Sequence, residues 1–131
     1  MPRPLILFVE DEPHLQRVLT RVLEASGYRV QAVGTVSAAV AAALTERPAV
    51  LVLDVNLPDG TGWGVLRQLA GHGITCATLP TIMLSAGQPP TRRIAEFAPW
   101  AFVPKPFPVE TLKRLIAEAL GAPSTPTTPT T

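Results

Sequence analysis

Acidic side chains follow two apolar segments of this chain, at places where they could act together. Glu10 and Asp11 come directly after residues 5–9, and Asp54 comes directly after residues 49–53. Apolar runs of this length are typical of strands that are buried on both faces of a parallel sheet. The carboxyl edge of such a sheet is where chemistry usually occurs. Because carboxylate oxygens are the ligands that hard divalent cations prefer, acids delivered by two strands to one edge predict a cation site.

A hydroxyl group and an ammonium group follow two further apolar segments. Ser85 comes directly after residues 79–84, and Lys105 follows Pro104 at the end of residues 100–103. A carboxylate can act as the nucleophile in phosphoryl transfer, while cationic groups and hydroxyls hold the phosphoryl oxygens. Acids, a hydroxyl and a lysine at one sheet edge therefore predict a phosphoryl-transfer centre in which a carboxylate becomes phosphorylated.

The segments between the apolar runs have the spacing of amphipathic helices. Strands are predicted at residues 5–9, 28–33, 49–53, 79–84 and 100–103. Helices are predicted to begin at Pro13, at Thr35 or Ser37, near Trp63, within residues 89–98 and near Val109. Strands that alternate with helices predict an α/β fold with a parallel sheet and helices on both of its faces.

The composition is that of one domain of ordinary size. The chain has 131 residues, of which 47% are hydrophobic, and its formal net charge of +1 favours neither nucleic acid nor an anionic membrane as a partner. Its single cysteine, Cys76, can form no internal disulfide and lacks metal-ligand spacing. No apolar run has the length of a membrane span and no signal peptide is recognised, so we expect a cytoplasmic protein. Residues 122–131 contain only Ala, Pro, Ser and Thr, which predicts a disordered tail or the start of a linker.

Short motifs at the ends of the predicted strands resemble those of a known family. They are FVEDE at 8–12, DVNLPDGTG at 54–62, SA at 85–86 and KPF at 105–107. Each is weak evidence by itself, but their order on successive strand ends is specific, and the likeness extends from residue 5 to about residue 120. The chain resembles the receiver domain of two-component response regulators, of the chemotaxis type.

The resemblance implies both a fold and a chemistry. The fold would be a flavodoxin-like three-layer α/β/α domain over residues 1–121, with a doubly wound five-stranded parallel sheet in the order 2-1-3-4-5. A histidine kinase or a histidine phosphotransfer protein would phosphorylate Asp54, which makes the chain a phosphoryl acceptor with at most an autophosphatase activity, and not a turnover enzyme. The site residues implied are Glu10, Asp11, Asp54 and the backbone carbonyl of Asn56 around Mg²⁺, with Ser85 and Lys105 on the phosphoryl oxygens.

The same resemblance implies how a signal would leave the domain. Ser85 and Phe102 fall at the positions of the two switch residues of the family, and the Lys105–Pro106 peptide bond is expected to be cis. A protein partner or an output domain would be met through the face of the fourth helix, fifth strand and fifth helix. Direct binding to nucleic acid or to a membrane is not expected of this domain.

The chain departs from the family pattern on that same face. Residues 98–101 (APWA) replace the usual approach to the fifth strand, and the segment from Ser85 to Phe102 is about two residues short of the common spacing. Residues 88–90 (QPP) would confine the fourth helix to about two turns. These departures argue against the ordinary dimer mode. Trp100 would either pack over the shortened helix or be exposed as an anchor for a partner.

Simpler interpretations of individual residues stay open. Asp11 can cap the first helix as well as bind a metal, Glu12 is expected to be only a solvated helix residue, and Phe102 can be plain core. A phosphatase of the haloacid-dehalogenase type would need a second acid two residues after the nucleophile, where this chain has Asn56. A pseudo-receiver that binds a partner without being phosphorylated is disfavoured by the complete set of pocket residues.

Overall fold

Parallel strands alternate with helices along the described chain. The computed structural model describes residues 3–88 and 90–121. In chain order, the elements are β1 (Leu5–Val9), α1 (Pro13–Ala25), β2 (Arg29–Val33), α2 (Val36–Thr45), β3 (Val50–Asp54), β4 (Asn56–Leu57), β5 (Gly60–Thr61), α3 (Gly62–Ala70), β6 (Thr81–Ser85), α4 (Thr91–Phe97), β7 (Ala101–Pro104) and α5 (Val109–Gly121). Strands β4 and β5 form a small antiparallel hairpin that is not among the predicted strands.

The large sheet has the strand order β2-β1-β3-β6-β7, with every pair parallel. Counted over these five strands alone, this is the order 2-1-3-4-5, so the doubly wound fold is confirmed. The direction of winding reverses at β1 and β3, and the crevice outside such a reversal is where this class of sheet binds ligands. Since Val9 is paired with Leu53, the acids that follow β1 and end β3 lie at neighbouring strand ends.

Side chains of the central strands alternate between two core clusters. In β1, Leu7 and Val9 belong to the cluster beneath α2 and α3, whereas Ile6 and Phe8 belong to the cluster beneath α1 and α5. Every residue of β1, β3 and β6 is buried. Burial on both faces explains why these strands read as continuous apolar runs.

Strands β3, β6 and β7 each end one residue later than predicted. Asp54 and Ser85 are therefore the last residues of their strands, held by the sheet itself.

Of the two starting residues predicted for α2, Thr35 is the one that caps the helix, and its hydroxyl accepts a hydrogen bond from the Ala38 amide at 3.1 Å. The predicted tail, residues 122–131, lies outside the described residues. Within 3–88 and 90–121, none of the helices is long and apolar enough to cross a membrane.

Helix α4 is short, as predicted, and Trp100 is buried, so the alternative of an exposed anchor for a partner is wrong. α4 has seven residues and none of them is buried. Trp100 is 6% exposed and belongs to the core cluster beneath α1 and α5, whereas Ile94 and Phe97 of α4 pack against the opposite cluster. Trp100 precedes β7, after Ala98 with its left-handed φ of 48°. Residues two apart in a strand lie on the same face of the sheet. Because Trp100 precedes β7, this rule does not apply to it, and it packs on the face opposite to that of Phe102.

Helix α3 begins in close contact with the end of β3, at Gly62. A Cβ atom on Gly62 would lie 2.5 Å from the backbone oxygen of Asp54 and 3.0 Å from Cγ of Leu53. The Gly62 amide also donates to the carbonyl of Val55 at 2.8 Å. The absence of a side chain is thus what lets α3 begin beside the strand end that presents Asp54.

Replacing Gly62 with alanine is expected to destabilise the domain by about 1–3 kcal/mol, because the backbone at Asp54 or helix α3 must shift to admit the methyl group. Gly64→Ala is a matched control on the same helix, since a Cβ there would meet only Oγ1 of Thr61, at 4.0 Å. Alanine at that site should be neutral or stabilising by up to about 1 kcal/mol. Urea unfolding measures both variants, and equal stabilities would contradict a steric requirement at Gly62.

Candidate functional site

The first side of the site is the loop between β1 and α1, which carries Glu10 and Asp11. The Glu10 amide donates to the carbonyl of Val33 on β2 at 2.9 Å, and the Glu10 carbonyl accepts from Nε2 of Gln16 on α1 at 2.8 Å. Oε2 of Glu10 also accepts from the Glu12 amide at 3.1 Å. Glu10 is 1% exposed while Asp11 is exposed, so this loop places one acid inside the site and one at its rim.

Glu12 has a defined contact, and the prediction that it is only a solvated residue is wrong. It is the N-cap of α1, where its carboxylate accepts hydrogen bonds from the amides of Leu15 at 2.6 Å and His14 at 3.0 Å. These two hydrogen bonds hold the pKa of Glu12 below its ordinary value. Because Glu12 satisfies the helix amides, Asp11 is not the cap and lines the pocket instead.

The second side of the site is Asp54, the last residue of β3. Asp54 is 4% exposed, and the ladder of the sheet continues past it, since the Val55 amide donates to the carbonyl of Leu84 at 2.9 Å. Oδ1 of Asp54 accepts from the Asn56 amide at 3.2 Å. Backbone pairing and this hydrogen bond together fix the carboxylate at the strand end.

Lys105 closes the site from the end of β7. Its Nζ donates to Oδ2 of Asp54 at 2.8 Å and to Oε1 of Glu10 at 3.0 Å. The Lys105 amide donates to the carbonyl of Ser85 at 2.7 Å, and the Lys105–Pro106 bond is cis, as expected. One ammonium group is therefore shared between two buried carboxylates that come from two other strands.

Burial and charge act against each other in this cluster. Burial raises the pKa of Glu10 above its ordinary value; the hydrogen bonds from Lys105 and from the Glu12 amide oppose that change, and the charge of Asp54 adds to it. Burial alone would lower the pKa of Lys105, but its hydrogen bonds to Asp54 and Glu10 outweigh burial and raise it. Lys105 therefore stays protonated at neutral pH and balances part of the negative charge.

An open cavity of about 340 Å³ lies over these groups. Five predicted site residues line it, namely Glu10, Asp11, Asp54, Asn56 and Lys105. One carboxylate oxygen from each of the three acids lies within 4.8 Å of the others, and no second group of this kind occurs in the described part of the chain. When all four charged groups are ionised, an excess of two negative charges remains. A set of carboxylate oxygens with this excess fits a hard divalent cation such as Mg²⁺.

Neither of the two predicted switch residues, Ser85 and Phe102, lines the cavity. Ser85 is buried at the end of β6, and its Oγ accepts from the Gly87 amide at 3.2 Å. Phe102 is buried on β7 and stacks on Trp63 of α3, with ring centroids 6.4 Å apart. Trp63 stacks in turn on Phe97 of α4, at 5.9 Å. Phe102 is thus a core residue here, and an aromatic row leads from it to α4.

Sequence reasoning missed two side chains that hold the rim of the site. One is Gln16, through its hydrogen bond to the Glu10 carbonyl. The other is Asp59, for which no role was predicted. It accepts from the amides of Val36 at 2.7 Å and Ser37 at 3.2 Å at the start of α2. Aspartate is a good acceptor for the amides of a helix N-terminus, but nothing local indicates a helix that begins 23 residues earlier.

Comparison with known proteins gives the same family as the motifs. Residues 6–117 match the family model of the response regulator receiver domain. The chain is 37% identical over 107 residues to the probable transcriptional regulatory protein TcrX of Mycobacterium tuberculosis, which covers 80% of this chain and 44% of that protein. It is 33% identical over 126 residues to the KDP operon transcriptional regulatory protein KdpE of Escherichia coli, and the matched region covers 95% of this chain and 54% of KdpE. The chain spans about half the length of these curated relatives.

Solved structures share the fold over nearly the whole chain. The non-phosphorylated HemR receiver domain from Leptospira biflexa has a TM-score of 0.81 and 29% identity, covering 92% of this chain and 96% of that one. The chemotaxis protein CheY4 of Vibrio cholerae also has a TM-score of 0.81, with 25% identity over 90% of this chain and 99% of that one. With the family model matched across both acidic strand ends and the lysine, this chain belongs to the family of response regulator receiver domains.

Proposed function

We propose that this domain is the phosphoacceptor of a two-component system and that Asp54 receives the phosphoryl group. The observation that carries the proposal is the Lys105 ammonium, which donates to both Asp54 and Glu10 at an open acidic cavity. An ion pair that served only stability would need neither an opening to solvent nor excess negative charge. A phosphoryl acceptor needs a fixed carboxylate, an adjacent cationic group and access for the donor.

In the proposed step, a carboxylate oxygen of Asp54 attacks the phosphorus of a phosphohistidine on the donor protein. An O–P bond forms while the N–P bond breaks, and the electron pair of the N–P bond returns to the imidazole, which takes up a proton. The Asn56 amide and Lys105 restrict rotation of the carboxylate, which favours in-line attack. As charge moves from the carboxylate to the phosphoryl oxygens, the Lys105 ammonium is within reach of both.

We assign Glu10, Asp11, Asp54 and the backbone carbonyl of Asn56 as the residues that would hold Mg²⁺. Bound there, Mg²⁺ supplies charge that neutralises the phosphoryl oxygens. The chain itself contributes two buried carboxylates that the sheet holds still and one exposed carboxylate at the rim. Because Mg²⁺ retains several waters in sites of this kind, we expect its affinity to be modest.

The switch is assigned to Ser85 and Phe102. On phosphorylation, the Ser85 hydroxyl would turn from the Gly87 amide toward a phosphoryl oxygen, and Phe102 would repack against Trp63. The stack of Trp63 on Phe97 supports transmission to α4, and so to a partner or output domain on the α4–β7–α5 face. Phosphorylation would then shift the population between two arrangements of that face.

A phosphatase with an aspartate nucleophile is the main alternative. Position 56 is Asn, and the segment after β3 is a short hairpin that does not enclose a substrate. Incubation with acetyl phosphate and Mg²⁺ separates the functions by intact mass. One labile phosphoryl group per chain supports the acceptor, multiple turnover of varied phosphate esters supports a phosphatase, and no adduct supports a receiver that is not phosphorylated.

Asp54→Asn is expected to take up no phosphoryl group from acetyl phosphate, because an amide oxygen is a poor nucleophile. The substitution retains an acceptor for Lys105, so circular dichroism should show an unchanged fold. Mass spectrometry of the intact proteins, followed by peptide mapping of the wild-type adduct, makes the measurement. A phosphoryl group on Asp59 or Ser85 of the wild-type protein would show that the nucleophile is assigned wrongly.

Asp11→Asn is expected to weaken Mg²⁺ binding and to abolish phosphorylation. A unit charge and a divalent ion about 4 Å apart in water interact by roughly 2 kcal/mol, which corresponds to about a 30-fold loss of affinity. The control is Glu12→Gln, which removes the same charge one position away but leaves an oxygen to cap α1. Calorimetric titration with MgCl₂ compares the two variants, and an unchanged affinity in Asp11→Asn would rule out this ligand.

The two tryptophans are expected to report differently on the switch. With Trp100 replaced by Phe, emission from Trp63 should change on addition of beryllofluoride and Mg²⁺, because Trp63 contacts Phe102 directly. With Trp63 replaced by Phe, emission from Trp100 should stay nearly constant, since Trp100 packs in the opposite core cluster. A response from Trp100 alone would contradict transmission through the aromatic row.

A further inference from the structure

The turn between β4 and β5 is hydrogen-bonded to the start of α2, which lies 23 residues earlier in the chain. Oδ1 of Asp59 accepts from the Val36 amide at 2.7 Å and Oδ2 accepts from the Ser37 amide at 3.2 Å. These are the first two amides of α2, and Thr35 satisfies the third through the Ala38 amide. The hydrogen bond from the Val36 amide, followed by that from Ser37, holds the pKa of the Asp59 carboxyl below its ordinary value.

The hairpin that Asp59 attaches to α2 carries part of the acidic cavity. Asn56 and Leu57 of β4 both line that cavity, and they pair with Thr61 and Gly60 of β5. The hairpin also packs directly on the helix start, since a Cβ on Gly60 would lie 3.3 Å from Cγ2 of Val36. The position of Asn56 therefore depends on how the hairpin is seated against α2.

The segment that leads into α2 also contacts the other side of the cavity. A Cβ on Gly34 would lie 3.5 Å from Cα of Asp11 and 3.6 Å from the carbonyl oxygen of Glu10. The β2–α2 connection thus touches the loop that carries Glu10 and Asp11, and Asp59 joins the hairpin of Asn56 to the same connection. Both rims of the cavity therefore contact the same segment, residues 34–37.

We propose that Asp59 is a positioning residue for the metal site, which fixes the Asn56 loop relative to Glu10 and Asp11 through the start of α2. The proposal rests on the proposed function, because it assumes that the cavity binds Mg²⁺. Mg²⁺ tolerates little deviation from octahedral geometry, so a loop that is free to shift should bind it less well. Loss of a partner that orients a ligand typically lowers metal affinity by about tenfold or more.

The test compares Asp59→Ala with Thr35→Ala, because both remove an acceptor from the N-terminus of α2 and only the first releases the hairpin. Titration with MgCl₂ gives the affinity, urea unfolding gives the stability, and hydrogen exchange of amides 56–61 in the metal-free protein gives the mobility of the hairpin. We expect Asp59→Ala to lose about tenfold in Mg²⁺ affinity and to exchange faster at 56–61. Thr35→Ala should lose stability but keep the affinity of the wild-type protein.

Asp59→Asn separates positioning from charge. It removes the negative charge but retains an oxygen that can accept from the Val36 amide, so its Mg²⁺ affinity should lie nearer to that of the wild-type protein than to that of Asp59→Ala. Equal losses in Asp59→Asn and Asp59→Ala would overturn the proposal in favour of a simple charge effect. Equal affinities in Asp59→Ala and Thr35→Ala would overturn it in favour of helix capping alone. Failure of the wild-type protein to bind Mg²⁺ would instead contradict the proposed function.

Discussion

The shared ammonium group of Lys105 is the interaction on which the rest of the site depends. It joins residues that are 95 and 51 positions apart in the chain, and it can form only when the ends of β1, β3 and β7 lie at one edge of the sheet. Without the Lys105 ammonium, Glu10 and Asp54 would be two neighbouring buried carboxylates that lack a cationic partner, and such uncompensated buried charge is strongly destabilising. The fold and the chemistry of the pocket are therefore coupled through this one group.

The pocket nevertheless holds more negative charge than Lys105 can balance. Other interactions add to the stability of the pocket: the Glu12 and Asn56 amides donate to the two buried carboxylates, and apolar clusters fill both faces of the sheet beneath them. An arrangement selected for stability alone would lack the excess charge, since buried ion pairs contribute little beyond well-packed apolar groups. The excess is what makes the edge of the sheet suited to a cation and to phosphoryl chemistry.

Helix α4 is packed more lightly than the other described helices, all of which have buried residues. Trp100, three residues after the end of α4, is buried in the cluster beneath α1 and α5. On the other side, α4 has no buried residue and is held through partly buried contacts, including the stack of Phe97 on Trp63. Elements with few buried contacts are those that rearrange at low cost in free energy. In the proposed switch, the row from Phe102 to α4 would carry a change that begins in the pocket.

The sequence by itself determined the five strands of the large sheet, their order through the family resemblance, and five of the residues that line the pocket. It could do so because continuous apolar runs and the turn residues after them are local signals, and because the carboxyl ends of parallel strands must meet at one edge. It did not determine which acid caps α1, which face Trp100 packs on, or what Asp59 contacts. Glu12, and not Asp11, accepts from the first amides of α1, and Trp100 follows Ala98, whose left-handed φ of 48° ends α4. Asp59 reaches α2 only because the fold brings a hairpin to a helix start 23 residues earlier in the chain, and such contacts depend on packing that no local pattern contains.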